Sequence, residues 1–448
     1  MDNTEKNVQP IPTGVPAKKE RITADGEAAR YLQLQMHLKK ESRGADLLLI
    51  LLTLGFIYVM AILFWVLPDS DFSAQENRTL ATAPKISAEN FFSGALTEQV
   101  SDYMADQFPF RDFFVGMKAF SETVQLKGQN NGVIFGSDGY LTARADYPNE
   151  DVLKTNLDAA AAFQKAMEEQ DIPCTAAFVG RKQDVCDRYL PSVYGSYYSD
   201  RIWGILDDIA VSDGLSYLNL RDPLRSRAED GEAVYYKTDH HWTTLGAYYG
   251  YAQVMESLGG APLALGAFTV EEASDDFYGT TWSASGIKWA DPDPIAYYHY
   301  GEDDAFTMAI QDSTMQFEGY AGCTYEERDG KQYAVFDGFY VREFLEEKDQ
   351  YASFLGGNFG YTQITKKGDE ERQTLLVLKD SFAHSMVPFL AQHYDLILID
   401  LRYYKASMLQ FCQENDIDQV LMLYNMETLT EGDYLKVLRA GLNREKGE

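Results

Sequence analysis

The sequence predicts an α/β domain with a mostly parallel sheet, preceded by one membrane-spanning helix. Three observations predict it. An uncharged apolar run fills residues 47–67, short apolar runs alternate with helical periods from residue 150 onward, and a serine follows directly on one of those runs. Strands buried on both faces of a parallel sheet read as continuous apolar stretches separated by helices.

Residues 1–46 mix charge of both signs with Pro and Gly and show no apolar period, so they read as a flexible cytoplasmic tail. The run LLLILLTLGFIYVMAILFWVL at 47–67 carries no charge. About 21 residues at ~1.5 Å each reach ~31 Å, the thickness of a bilayer core. Lys39, Lys40 and Arg43 precede the run, whereas Asp69, Asp71 and Glu76 follow it. Basic flanks stay cytoplasmic, so the N-terminus is expected inside and the chain after Pro68 outside. No small-x-small cleavage site follows, which favours an anchor over a removed signal.

The chain has 39 basic and 69 acidic residues, a net charge of −30. Such a surface repels nucleic acid and excludes it as a partner. Cys174, Cys186, Cys323 and Cys412 all fall in the outer part, where disulfides persist. Cys174 and Cys186 are spaced to close a short loop; four separate thiols are the equal alternative. The spacing fits no zinc pattern, and no metal or cofactor is expected.

In order, residues 68–90 read as a linker, 91–127 as helical, and 132–141 as a hairpin turning at Ser137 and Asp138. A helix at 151–169 leads to a strand at 175–179. A helix at 197–212 leads to a strand at 216–220, and another helix spans 243–258. Strands at 374–378, 396–399 and 419–423 follow, separated by helical stretches. Residues 262–372, rich in Gly, Asp and aromatics, break the alternation and read as an insertion over or beside the sheet. The outer domain is thus expected over 91–448.

Two segments carry chemistry. Thr238-Asp239-His240-His241-Trp242 precedes the helix at 243, which Thr243 or Thr244 can cap. Lys379-Asp380-Ser381-Phe382 lies between a strand and a helix. A serine at such a turn is exposed, and the following helix offers amide donors to an oxyanion. Serine needs a base within hydrogen-bond reach, and the base needs a carboxylate to fix its tautomer. Asp239, His241 and Ser381 can make that set. The alternatives are a plain helix cap for Ser381, a metal site for the Asp-His-His run, a core role for Trp242, and His384 as a rival base.

Asp239-His240-His241-Trp242 resembles the signature of the DHHW family of bacterial surface proteins. The wider pattern resembles the SGNH-hydrolase-like domain of alginate O-acetyltransferases of the AlgJ and AlgX type. Glu76-Asn77-Arg78-Thr79-Leu80 with Pro84, Asp106 to Asp112, and Gly132 to Leu141 are similar to further motifs of those groups, and Asp380-Ser381 matches part of their Gly-Asp-Ser block. The resemblance implies a three-layer SGNH-hydrolase-like domain with Ser381 as nucleophile, His241 as general base and Asp239 as the orienting acid. His240, Trp242, Asp380, Arg402 and Asn425 are supporting candidates, Asn425 for the oxyanion hole. It implies an O-acetyltransferase acting on a cell-surface or secreted polysaccharide beside a membrane-bound O-acyltransferase. Lys379 replaces the family glycine, which bears on the tightness of the turn. A carbohydrate acetylesterase and a non-catalytic glycan-binding or assembly protein on the same fold are the alternative readings.

Overall fold

The computed structural model describes residues 24–73, 75, 78–144, 148–194, 197–368 and 371–442. Two units separate: residues up to 69 together with 83–109, and residues 70–82 together with 110–448.

The first unit contains one helix of 43 residues, Ala24–Val66. Its part from Gly44 to Val66, with mean hydropathy 2.8, is long and apolar enough to cross a membrane. The helix corrects the expected tail, because residues 24–46 are helical rather than flexible; residues 1–23 lie outside the described residues. The physical reason is local. Residues 27–43 hold no Pro or Gly and many Ala, Leu, Gln, Lys and Glu. Once the apolar span has nucleated a helix, such residues extend it cheaply.

The expected helix at 91–127 is instead three helices, Ala88–Ser93, Ala95–Asp106 and Arg111–Val124. Gly94, at φ 82, and Phe110 after Pro109, at φ 58, break it in the left-handed region. The third helix belongs to the second unit. The linker therefore ends early, at the N-cap Ser87, and holds two two-residue strands, Phe72–Ser73 and Arg78–Thr79. The Glu76-Asn77 part of the expected motif lies outside the described residues.

The second unit is built on a nine-stranded sheet. Its strands, numbered in chain order, are β1 (Cys174–Val179), β2 (Tyr217–Asn219), β3 (Phe306–Gln311), β4 (Thr324–Arg328) and β5 (Lys331–Asp337), then β6 (Tyr361–Lys366), β7 (Thr374–Lys379), β8 (Asp395–Ile399) and β9 (Gln419–Asn425). Their order across the sheet is β4-β5-β3-β6-β8-β7-β9-β1-β2. The five strands β8, β7, β9, β1 and β2 run parallel, as the sequence predicts. The insertion departs from expectation. Its later part joins the sheet, which β3, β4, β5 and β6 prolong with antiparallel pairing through β8, while its earlier part, Thr269–Phe277 paired with Asp293–His299, forms a separate two-stranded sheet. The sheet is mixed, half parallel and half antiparallel.

β7 shows why the parallel half is central. Leu375 and Val377 enter one core, shared with Tyr251, Val254 and Phe389. Leu376 and Leu378 enter the other, shared with Leu153, Leu157 and Phe163. The two-residue period of a strand thus serves both faces at once. Helix Glu150–Glu168 covers one face and helix Thr244–Ser257 the other. Truncating Leu376, fully buried, to Ala would cost about 2–5 kcal/mol.

The hairpin is as expected, with Val133–Phe135 pairing Leu141–Ala143, and Gln129–Asn130 adds a third strand. All four cysteines are free thiols, so Cys174 and Cys186 do not pair.

Candidate active site

Open α/β sheets bind ligands at the carboxyl ends of their parallel strands. Four such ends converge here. β1 leads to Arg181 and Lys182, β7 to Asp380 and Ser381, β8 to Asp400 and Arg402, and β9 ends at Asn425.

The turn after β7 is fixed by Asp380. One of its carboxylate oxygens accepts from Phe382 N at 3.0 Å; the other accepts from Asn425 N at 2.7 Å and Thr428 Oγ1 at 2.8 Å. Asp380 is therefore a staple across the strand ends. Ser381 then opens a short helix, Ser381–Ser385.

The Asp-His-His-Trp run forms a tight loop closed by a bridge between Tyr235 and Trp242. His241 Nε2 lies 2.7 Å from Ser381 Oγ, and His241 Nδ1 lies 2.6 Å from Asp239 Oδ1. The other oxygen of Asp239 accepts from Thr280 N at 2.8 Å and Thr280 Oγ1 at 2.9 Å. This approach requires Gly279. A Cβ there would sit 2.2 Å from Asp239 Cβ, so no other residue fits. Trp242 Nε1 donates to Phe382 O at 2.9 Å and ties the loop to the serine turn.

Three residues unremarked in the sequence hold this loop. Lys182, 4% exposed, donates to Leu141 O at 2.5 Å, Lys237 O at 2.7 Å and Asp239 O at 3.0 Å. Asp293 accepts from the backbone of Lys237 and Thr238 and from the Thr238 hydroxyl at 2.6–2.8 Å. The Tyr351 ring stacks on His241, centroids 3.9 Å apart at 10°, while its hydroxyl donates to Ser381 O at 3.1 Å. No local pattern marks them, because their partners are distant in sequence.

The electrostatics follow from burial and neighbours. Burial and the charge of His240 push the His241 pKa down to about 4, against the pull of Asp239, so His241 is neutral at neutral pH. Burial opposes ionisation of Asp239, but the two histidines outweigh it and hold its carboxyl well below the usual range. For His240, whose side chain is 34% exposed, Asp239 outweighs burial and lifts the pKa to about 9. His240 Nδ1 donates to Thr280 Oγ1 at 2.7 Å.

The remaining candidates lie as follows. Arg402 is paired with Asp400 at 2.6 Å and lines the same cavity as Ser381. Asn425 lines it too, but its side chain caps the helix Met426–Glu431 and donates to Gly180 O at 3.0 Å. That binding makes it a structural link between strand ends, and it weakens the oxyanion reading. Lys379 is 2% exposed, and its ammonium donates to His384 Nε2 at 2.7 Å. Burial lowers Lys379 to about 8, and burial with the Lys379 charge holds His384 well below its usual value. His384 is thus engaged by Lys379.

Ligand atoms of Asp239, His240 and His241 lie within 4.8 Å of one another, close enough to hold a cation. The 2.6 Å contact to Asp239, however, puts a proton on His241 Nδ1, and that nitrogen is then no ligand.

The cavity above Ser381 measures about 310 Å³. A second, of about 280 Å³, adjoins it and shares His240, Thr281, Glu427 and Glu431. A neutral imidazole between a carboxylate and a hydroxyl that lines such a cavity can deprotonate the hydroxyl for attack on an ester.

Comparisons with known proteins agree with this architecture. Residues 214–399 match the family model of the DHHW protein. Residues 133–291 match that of the SGNH hydrolase-like domain of the acetyltransferase AlgX. A DHHW family protein from Eubacterium siraeum has a similar structure, with 20% identity over 69% of this chain and 95% of that one and a TM-score of 0.52. Bacillus cereus PatB1, solved with a sulfonyl adduct, is similar at 23% identity over 68% of this chain and 98% of that one, TM-score 0.56. The O-acetyltransferase domain of Pseudomonas putida AlgJ matches at 14% identity over 67% and 93%, TM-score 0.37. A search of curated proteins finds no match. Residues 214–399 are a DHHW-family region, set in an SGNH-hydrolase-like α/β fold related to that of the AlgX acetyltransferase domain.

Proposed function

We propose that this chain is an extracytoplasmic O-acetyltransferase that moves acetyl groups onto hydroxyls of a cell-surface or secreted polysaccharide. The observation that carries the reading is the Ser381–His241–Asp239 chain of 2.7 and 2.6 Å contacts beneath a cavity. The match to the AlgX acetyltransferase domain supports the reaction class.

In the first half-reaction His241 takes the proton of Ser381 while Oγ attacks the acetyl carbonyl. The tetrahedral oxyanion collapses, and the protonated imidazole returns the proton to the leaving group. In the second, a sugar hydroxyl gives its proton to His241 while its oxygen attacks the carbonyl of acetyl-Ser381; the tetrahedral intermediate collapses, the bond to Ser381 Oγ breaks, Oγ takes the proton back from His241, and the sugar departs as the acetyl ester. Asp239 fixes the imidazole tautomer and stabilises its charged form. Ser381 N, at the start of its short helix, is the donor assigned to the oxyanion, and Arg402 lines the same cavity. The helix 44–66 holds the domain on the outer face of a membrane with its basic flank inside. A membrane-bound O-acyltransferase supplies the acetyl group, and no cofactor enters.

The test uses the full chain in detergent with 4-nitrophenyl acetate. Mass spectrometry should find acetyl on Ser381 and none in Ser381→Ala. A sulfonyl fluoride should block the same residue. A folded protein that gains no label on Ser381 would sink the reading. Free acetate that added glycan fails to suppress would turn it into an esterase.

A further inference from the structure

We propose that the helix Arg111–Val124 seats the second unit on a lipid surface, with its stripe of Phe113, Met117, Phe120 and Val124 entering the acyl boundary of the leaflet it faces. The proposal rests on the membrane anchoring in the reading above and adds a second point of contact.

The helix is amphipathic the wrong way round for a soluble protein. Such a helix normally turns its large apolar side chains to the core. Here the small residues Gly116 and Ala119 are the buried ones, and Ala119 packs with Val133, Leu141 and Ile287. Phe113, Met117, Phe120 and Val124 recur at helical spacing, so they share one face, and they are 51–65% exposed. Trp289, also exposed, widens the stripe by meeting Phe120 edge to face, ring centres 6.1 Å apart. Scattered exposed apolar residues need no explanation, whereas a patch does. Among the described residues, twelve large apolar side chains are exposed between 86 and 126, against seven in all of the chain beyond.

Connectivity names the occupant. The apolar span ends at Val66, and the second unit begins at Ser70. Four residues of chain reach at most about 14 Å. The headgroup layer on one side of a bilayer takes up about 5–8 Å of that. The chain leaves the second unit at Thr82 and re-enters it at Phe110, one residue before the helix. The helix thus starts where the chain returns from the unit that holds the span. Charge agrees with a lipid surface. Residues 111–127 hold Arg111, Lys118 and Lys127 against Asp112 and Glu122, in a chain whose net charge is −30. Lys288, exposed, lays its stem along Gly116 and adds a further cation beside the helix. Basic groups flanking an aromatic face are what an interfacial helix presents to lipid phosphates. The seat bears on the site as well, because Val133, packed under this helix, also lines the cavity above Ser381.

The test reconstitutes the full-length chain in vesicles of mixed phosphatidylcholine and phosphatidylglycerol. The photoreactive p-azidophenylalanine replaces Phe113 or Phe120 and, for comparison, the exposed Val211 of the helix Tyr197–Asp213. After illumination, mass spectrometry should find lipid adducts at 113 and 120 at least about fivefold above those at 211. Met117→Gln/Val124→Gln should cut the adduct at 120 about threefold or more and leave the melting temperature unchanged. Illumination in cell membranes should again give lipid. Equal adducts at 211, an adduct that the double substitution leaves unchanged, or a second copy or another protein captured in place of lipid overturns the proposal. Carbonate washing of unilluminated vesicles separates the seat from the anchor. A chain that resists the wash yet forms no lipid adduct at 113 or 120 overturns the seat and leaves the anchor standing. A chain that the wash strips off, but that labels at both positions, does the reverse.

Discussion

Ser381 stands on a turn of contiguous residues, whereas His241 and Asp239 are positioned by residues drawn from 182 to 351. The serine turn is a strand end followed by Asp380, and Asn425, Thr428 and Tyr351 brace it from a distance. The histidine loop has no regular structure and depends on Lys182, Thr280, Asp293 and Tyr351. A nucleophile can be encoded locally. A base that must approach from across a cleft needs the tertiary fold to aim it.

Substitutions can break this contrast. Ser381→Ala should show the largest effect, a loss on the order of 10⁴-fold or more in acetyl transfer, read from single-turnover labelling. Asp239→Asn should cost on the order of 10³–10⁴-fold while leaving melting temperature nearly unchanged, because shape persists and the tautomer does not. If transfer survives Asp239→Asn, the loop is not an orienting device. Lys182→Met should act on the loop through stability. It removes the ammonium from the carbonyls of Leu141, Lys237 and Asp239, of which Lys237 O keeps its bond from Leu141 N, at about 1–3 kcal/mol for each carbonyl left unpaired, so denaturant midpoints and activity should fall together. Loss of activity at full stability would mean a direct chemical role for the lysine. Tyr351→Phe keeps the stacking and removes the bond to Ser381 O, so about a threefold to tenfold loss is expected.

The smallest effect sharpens the electrostatic side. His241 works as a base only when neutral, so activity should persist well below pH 6.5 and fall as the solution approaches the lowered pKa. His240 contributes to that lowering through its charge. In His240→Gln the His241 pKa rises and the acid limb moves to higher pH. The ratio of rate at pH 5 to rate at pH 8 should therefore drop several-fold. A limb that stays in place would show that burial alone sets the base.

The same contrast explains what the sequence disclosed. The parallel strands are readable because each is an apolar run buried on both faces, as in TLLVLK of β7. The serine turn and the Asp-His-His-Trp run are readable because both are short and contiguous. The insertion is not. β4 reads TYEER and β5 KQYAVFD, and neither looks like part of a central sheet until pairing is known. Lys182, in Gly180-Arg181-Lys182-Gln183, reads as a solvated surface charge; only the fold brings three carbonyls to it. The start of the long helix was hidden for another reason. Helix propensity in residues 24–43 is weak evidence alone, and the adjoining span tips it.

Antiparallel extension of the sheet has a further consequence. An open sheet ends in unpaired amides that invite a neighbour's strand, and this one ends at β4. That outermost strand carries Glu326, Glu327 and Arg328 and is largely exposed. The opposite margin, β2, is only three residues long. Crowded copies thus find one border guarded by charge and the other too short to serve as a template, so the molecule can be packed densely without stitching into fibrils.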